Sequence, residues 1–305
     1  MTRYIINRIL QTIPTLFGIS IISFALLRLT GDPAVLVLGL MASEESLEEY
    51  RQEHGLTDPV MEQYFNWIGD IFRGDFGDSL RYHEPIVKLL RERLPATMEL
   101  GLTALTLAIV IGVPVGVFSA VRWNTGWDII IRTVVLFGQA TPGFYLGLLL
   151  ILTFSVGLRL LPTGGRGGFS HLIMPAVALS TFMVALIVRF TRSALLDVLR
   201  QDYIRTARAK GLAERYVVYR HAMKNALIPL ITILGMQVSI LFSGAVITET
   251  IFSWPGVGRF AVQAIHARDF PVVQIMILFM ASVIVFLNLI VDITYAYLDP
   301  RIRFN

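Results

Sequence analysis

Residues 189–224 read RFTRSALLDVLRQDYIRTARAKGLAERYVVYRHAMK and hold nine basic side chains against three acidic ones. Apolar runs about as long as a membrane-spanning helix lie on both sides of this stretch. Loops on the cytoplasmic side of membrane proteins carry an excess of Lys and Arg. We therefore predict that 189–224 is a cytoplasmic loop between two spans.

The rest of the chain fits that membrane arrangement. A helix needs about 20 apolar residues to cross the hydrocarbon core, and six segments meet or approach this length. They are predicted at 9–27, 100–121, 133–156, 172–188, 226–247 and 272–291. With 55% hydrophobic and only 16% charged residues, the chain is not a soluble protein with a single core.

With 189–224 in the cytoplasm and six spans, the stretch 30–97, in which acidic residues outnumber basic ones, is predicted on the external side and both termini on the cytoplasmic side. The first apolar segment is longer than a signal-peptide core and lacks a small-residue cleavage site, so we interpret it as a retained anchor helix.

The external stretch is predicted to be largely helical. Ser46 to Glu49 forms a capping-box pattern, and Asp58-Pro59 is typical of a helix start. Apolar residues at helical spacing follow from Val60 to Ile71 and indicate an amphipathic helix. Two positions stay open for this helix, on the membrane surface or against the helix bundle. Its role is likewise open between a structural cap and substrate handling.

Ionisable groups are scarce inside the predicted spans. Asp292, near the inner end of the last span, is the exception, and we interpret it as an interfacial cap or ion-pair partner. The chain has no cysteine and no HExxH pair, which argues against a metal site. Ion-coupled transporters keep ionisable groups or broken helices at mid-membrane. The energy for any transport is therefore expected to come from outside the spans.

Within the basic loop, a helix is predicted from Thr191 to Lys210 and a second one around Ala213 to Asn225. Gly211 between them suits the left-handed residue that ends many helices. The apolar face of the first helix comprises Leu195, Leu196, Val198, Leu199, Tyr203 and Ile204. Two interpretations stay open from these residues alone: a rigid docking element, or an interfacial helix pair with its arginines on anionic lipids.

The run Asp202 to Gly211, DYIRTARAKG, resembles the "EAA" loop of bacterial ABC importer permeases, in the form of the dipeptide/oligopeptide/nickel branch. Arg205-Thr206-Ala207 stands in place of Glu-Ala-Ala, and the following proline comes late, at Pro229. Further resembling stretches cover nearly the whole chain: GDFGDS at 74–79, TPGF at 141–144, LPTGG at 161–165, ETIFSWPGVGR at 249–259 and DPRIR at 299–303.

This resemblance implies an all-α integral membrane protein with six transmembrane helices. It implies an N-terminal transmembrane helix at 1–29, an external helical region at 30–98, and an importer transmembrane domain at 99–305 with the coupling loop at 189–225. The chain would lie in the bacterial inner membrane and form half of a translocation pathway for peptides. A secondary transporter or channel subunit is the alternative function.

The resemblance also implies partners: a second homologous permease, two cytoplasmic ATPase subunits or domains and an external substrate-binding protein, but no nucleic acid. ATP and Mg would bind to the ATPases, with no cofactor and no catalytic residue in this chain. The ATPase-coupling loop would comprise Asp202, Tyr203, Arg205, Thr206, Ala207, Lys210 and Gly211. Polar residues at membrane depth are either candidates for the pathway or interhelical hydrogen-bond partners: Gln139, Thr141, Gln237, Ser239 and Ser243.

Overall fold

The computed structural model describes residues 2–29, 31–39, 42–53 and 55–298. Those residues form helices and loops, and the only β-pairing among them is one isolated bridge between Asp78 and Pro85. The helices are α1 Thr2–Leu29, α2 Pro33–Leu38, α3 Glu44–Glu53, α4 Val60–Arg73, α5 Ile86–Val121, α6 Gly126–Ala140, α7 Gly143–Leu150, α8 Phe169–Leu199, α9 Asp202–Ala209, α10 Glu214–Tyr216, α11 Met223–Ile251, α12 Val257–Ala267 and α13 Phe270–Leu298. Two π-helical turns follow α7 and α10, at Ile151–Gly157 and Val217–Ala222.

Four of these helices are long and apolar enough to cross a membrane: α1, α5, α8 and α13. A fifth span is added if α6 and α7, with its π-helical turn, are taken as one bent segment. Both counts apply to the described residues. The predicted span 226–247 falls on α11, a 29-residue helix of which several side chains lie outside the description. The total of six spans therefore stays a prediction.

The predicted span 133–156 is not one straight helix. It is bent by 100° between α6 and α7, at Thr141 and Pro142. Proline lacks an N–H group and forces the residue before it out of the helical region. Thr141 accordingly takes an extended conformation, with φ −77° and ψ 120°.

The described chain divides into two compact units. The first comprises 96–255 with the residues from 290 onward, and in it α5 packs closely on α8. A Cβ atom on Gly116 would lie 2.6 Å from Cβ of Thr191, and one on Gly112 would lie 2.7 Å from Cγ2 of Ile187. Two glycines four residues apart let helix backbones approach in this way.

The second unit comprises 2–95 and 256–289. Its core joins the start of α5 to α12 and α13, with Ile86, Phe260 and Val272 almost completely buried. Asp269 is also buried. Its carboxylate accepts hydrogen bonds from Ser79 Oγ at 2.5 Å and from the backbone N–H groups of Leu80 and Arg81. The carboxylate therefore fixes the loop that precedes α5.

The helices of the stretch 30–97 begin slightly differently from the prediction. α3 starts at Glu44, so Ser43 rather than Ser46 occupies the capping position, and Ser43 Oγ accepts from the backbone N–H of Ser46 at 3.2 Å. α4 starts at Val60 without a side-chain cap.

Candidate functional site

The predicted loop helix from Thr191 to Lys210 is two helices. α8 runs on to Leu199, Gln201 is extended with ψ 150°, and α9 begins at Asp202. In a continuous helix Leu195 and Ile204 would be about 14 Å apart along the axis. The break turns the chain so that both side chains are completely buried in one cluster, and burying such apolar side chains stabilises the turn.

The second predicted loop helix, Ala213 to Asn225, also differs from the helix in the structure. It begins at Glu214, passes through the π-helical turn and continues directly into α11. Gly211 lies between α9 and this helix with φ +77°, which confirms the predicted left-handed turn. No atom lies within 4 Å of the position that a Cβ would take there.

We call residues 201–213 the α9 loop. Its inward face is small: Ile204 and Ala207 are buried against α5, α8 and the π-helical turn. Of the residues that the resemblance assigns to coupling, Ala207 therefore faces the core. Tyr203, predicted on the apolar face, is 42% exposed, and its hydroxyl accepts a hydrogen bond from Asn225 at 2.7 Å.

The other coupling candidates present a polar outer surface. The exposed residues are Asp202, Tyr203, Arg205, Thr206, Lys210 and Gly211. Arg205 pairs with Asp202 at 3.2 Å, and Thr206 Oγ1 donates to the Asp202 carbonyl at 3.0 Å. The α9 loop thus exposes polar pairs between neighbouring residues, while its apolar side chains Ile204 and Ala207 are buried.

A second ion pair crosses the turn at Gly211. Arg208 donates to both carboxylate oxygens of Glu214, at 2.6 and 3.1 Å. The hydrogen bond to Glu214 raises the pKa of Arg208 and lowers the pKa of Glu214. Both side chains are about half exposed, so this pair orients the loop more than it stabilises it.

A cavity of about 420 Å³ lies at the bend between α6 and α7, among residues of α8 and α11. Gln139 and Thr141 line it, together with apolar residues that include Phe144, Phe182 and Leu241. Arg189 donates to Gln139 Oε1 at 3.3 Å, and Thr141 Oγ1 donates to a backbone carbonyl of α6. This volume lies within the range of small-molecule sites.

Gln237 is not among the described residues that line this cavity. Gln237 is buried, and its Oε1 has no hydrogen-bond partner among the described residues. The side chains of Ser239 and Ser243 lie outside the described part of the chain. Within the described part, no group of three or more His, Asp or Glu residues is arranged to hold a metal ion.

The family described as the binding-protein-dependent transport system inner membrane component matches residues 112–304, and its N-terminal part matches residues 1–101. The chain belongs to this family of permeases. Its relatives include the dipeptide permease DppB of Alkalihalophilus pseudofirmus (40% identical), the oligopeptide permease AppB of Bacillus subtilis (42%) and the glutathione permease GsiC of Escherichia coli (40%). Each comparison covers both chains completely.

Solved structures give the permease a known fold. The MetNI methionine ABC transporter in inward-facing conformations has a chain that aligns with a TM-score of 0.61, at 19% identity, over 71% of this chain and 99% of that one. A chain of an amino acid ABC transporter aligns with a TM-score of 0.53, at 17% identity, over 69% and 94%.

One buried ion pair of the permease is not evident from the sequence. Asp128, near the start of α6, is completely buried and receives two hydrogen bonds from Arg192 of α8, both at 2.8 Å. Ser119 Oγ and the Asn124 backbone N–H complete its shell at 2.6 and 3.0 Å, and Arg132 lies 3.6 Å away. This carboxylate joins α5, α6 and α8.

The motif at 249–259 has a structural role in the permease. Trp254 is completely buried, and its Nε1 donates to the Ala96 carbonyl at 2.8 Å. Gly164 of the 161–165 motif packs so closely on Phe252 that a Cβ would lie 2.2 Å from the Phe252 carbonyl oxygen. The two motifs therefore contact each other, which requires the glycine.

Proposed function

We propose that this permease forms half of the translocation pathway of an ATP-driven, binding-protein-dependent importer for short peptides. The observation that carries this proposal is full-length identity of 40–42% with permeases named for dipeptide, oligopeptide and glutathione transport. All three named substrates contain peptide bonds. Di- and oligopeptides are therefore the substrate class we assign.

The α9 loop is the surface that we propose for docking on an ATPase subunit. Its apolar side is buried in the cluster around Leu195 and Ile204, while Arg205 and Lys210 are exposed on the outside. A loop anchored in this way can transmit a domain motion to the helices beneath it, which an unanchored loop cannot do.

The complete importer in this proposal has a second homologous permease, two cytoplasmic ATPase subunits or domains and an external substrate-binding protein. The ATPases bind ATP and Mg²⁺, so this chain does not hydrolyse ATP alone. Both termini and the basic loop lie in the cytoplasm, and the stretch 30–98 lies outside. The excess of Lys and Arg at 189–224 supports this orientation.

The cavity beside the α6–α7 bend is the part of the pathway that we propose within this chain. Its apolar wall suits peptide side chains, whereas Gln139 and Thr141 offer hydrogen bonds to a peptide backbone. Gln237, Ser239 and Ser243 remain pathway candidates, and only their positions in α11 support this role.

Reconstitution in liposomes tests the proposal. The permease should transport a labelled dipeptide only when its partner permease, the ATPases, the binding protein and ATP are all present. Replacing ATP with a proton or sodium gradient should abolish uptake. Gradient-driven uptake by the permease alone would establish the alternative, a secondary transporter, and reject the importer.

A further inference from the structure

The amphipathic helix α4 lies against the membrane-spanning part of α1. Tyr64 of α4 reaches Ser20 of α1, with 2.7 Å between the two hydroxyl oxygens, and its ring contacts Phe17 and Phe24 edge-on. The apolar span of α1 extends from Ile5 to Leu26. Ser20 therefore lies about 9 Å inside the end of that span, and this part of α4 lies at bilayer depth.

The second half of α4 is held by a different contact. Trp67 and Ile71 pack against the cluster formed by α5, α12 and α13. Gln63 also accepts a hydrogen bond from Arg28 near the end of α1. Because α4 is fixed along its length, its remaining faces cannot rotate inward to bury their side chains.

Those remaining faces differ in chemistry. One carries large apolar side chains that are exposed: Met61 (66%), Phe65 (58%) and Phe72 (86%). These positions are spaced four and seven residues apart, so they share one side of the helix. The neighbouring exposed side is polar and carries Glu62, Asn66 and Arg73.

We propose that α4 is an interfacial helix, with Met61, Phe65 and Phe72 buried in phospholipid of the leaflet in which α1 ends. Helices of this kind place an apolar face about 5–10 Å into the boundary between headgroups and acyl chains. The depth of Ser20 agrees with that position.

Lipid is the occupant that the surrounding surface favours. Phe17 of α1 is 53% exposed and Phe65 is 58% exposed, and both rings contact Tyr64, with centroids 6.0 and 5.5 Å away. Exposed apolar side chains of a membrane-spanning helix and of α4 thus lie on either side of the same Tyr64 ring. A water-soluble partner would meet the polar side with Glu62 and Asn66 instead.

Site-specific fluorescence tests this placement. The chain contains no cysteine, so bimane can be attached to single variants Phe65→Cys and Phe72→Cys in the assembled, transport-competent complex. The matched controls are Glu62→Cys and Asn66→Cys, on the polar side of the same helix. Each is measured in phosphatidylcholine vesicles with acyl chains brominated or unbrominated.

We expect brominated lipid to quench the two phenylalanine sites at least about twofold more strongly than the controls, because their face lies among acyl chains. Aqueous iodide should quench the controls more strongly. Equal bromine quenching at all four sites would overturn the proposal. So would weak quenching of the phenylalanine sites combined with crosslinking to another subunit, which would identify a protein occupant. If a phenylalanine variant fails to assemble, Met61→Cys provides the same measurement.

Discussion

Replacing Arg192 with Met should destabilise the permease more than removing any surface ion pair. The change leaves the Asp128 carboxylate, which is 0% exposed, without the guanidinium that donates to both of its oxygens. Breaking a buried pair by removing one partner typically costs about 3–5 kcal/mol. Ser119 and the Asn124 backbone N–H remain, each at 3.0 Å or less, and the half-exposed Arg132 remains 3.6 Å away. We therefore expect the lower end, about 3 kcal/mol.

The reverse change, Asp128→Asn, should cost less. The Arg192 side chain is 19% exposed, so its charge can be partly hydrated when the carboxylate is lost. The double variant Asp128→Asn with Arg192→Met should be more stable than Arg192→Met alone, since it leaves no uncompensated buried charge. Non-additivity of this kind identifies a direct interaction.

The assay is the apparent melting temperature of the purified, assembled complex in detergent. A loss of about 3 kcal/mol corresponds to a decrease of about 5 °C for a chain of 305 residues, at an unfolding entropy of about 2.1 cal/mol/K per residue. The matched control is Arg73→Met, whose pair with Asp70 is exposed on both sides (79% and 51%) and should be worth about 1 kcal/mol or less. An Arg192→Met complex that melts within about 2 °C of wild type would refute the reasoning. Strictly additive losses in the double variant would do the same.

Three further predictions concern the helix contacts, the loop and the topology. Gly116→Ala should destabilise the complex by about 1–3 kcal/mol because the new methyl meets α8, whereas Gly126→Ala, which has open space, should leave the melting temperature unchanged. Gly211→Asp should cost about 1 kcal/mol in backbone strain, because φ is +77°. It should still preserve assembly, because no neighbouring group occupies the Cβ position. It should reduce peptide uptake and the response of ATPase activity to the binding protein, and normal uptake at wild-type expression would reject the coupling role. A cysteine at Arg215 should react with an impermeant thiol reagent only from the cytoplasm and one at Glu48 only from outside, and reversed labelling would contradict the proposed topology.

Features of the fold that depend on local chemistry could be predicted from the sequence. Gly211 is predictable because a left-handed residue at a helix end strongly favours glycine, and its φ of +77° agrees. The close approach of α5 and α8 follows from the spacing of Gly112 and Gly116. Pro142 by itself indicates a kink in the predicted span 133–156, whereas the angle of 100° depends on what packs around it.

Features that depend on distant partners could not be predicted in this way. Arg200 and Gln201 are ordinary helix residues, and the break between them and Asp202 arises because Ile204 packs back onto Leu195. Asp128 resembles a first-turn acid that stabilises a helix start. Its partner, Arg192, is 64 residues away and counts in the sequence only as one more positive charge of the basic loop.

Helix α8 links the buried Asp128–Arg192 ion pair to the cavity. This helix carries Phe182 in the cavity wall and Arg192 at the buried ion pair, about 15 Å further along its axis. Its sequence from 176 to 199 contains no Gly and no Pro, the residues at which sharp helix kinks usually occur.

The α9 loop and the cavity wall are therefore expected to move together through α8. By contrast, α11 runs from the π-helical turn that packs on the α9 loop to the residues that line the cavity. Along this path it contains Pro229, Gly235 and Gly244. If docking on an ATPase displaces the α9 loop, α8 should transmit that displacement to the cavity as a nearly rigid rod, while α11 can bend. A change in cavity shape then follows from the difference in stiffness between α8 and α11, two of the helices that line it.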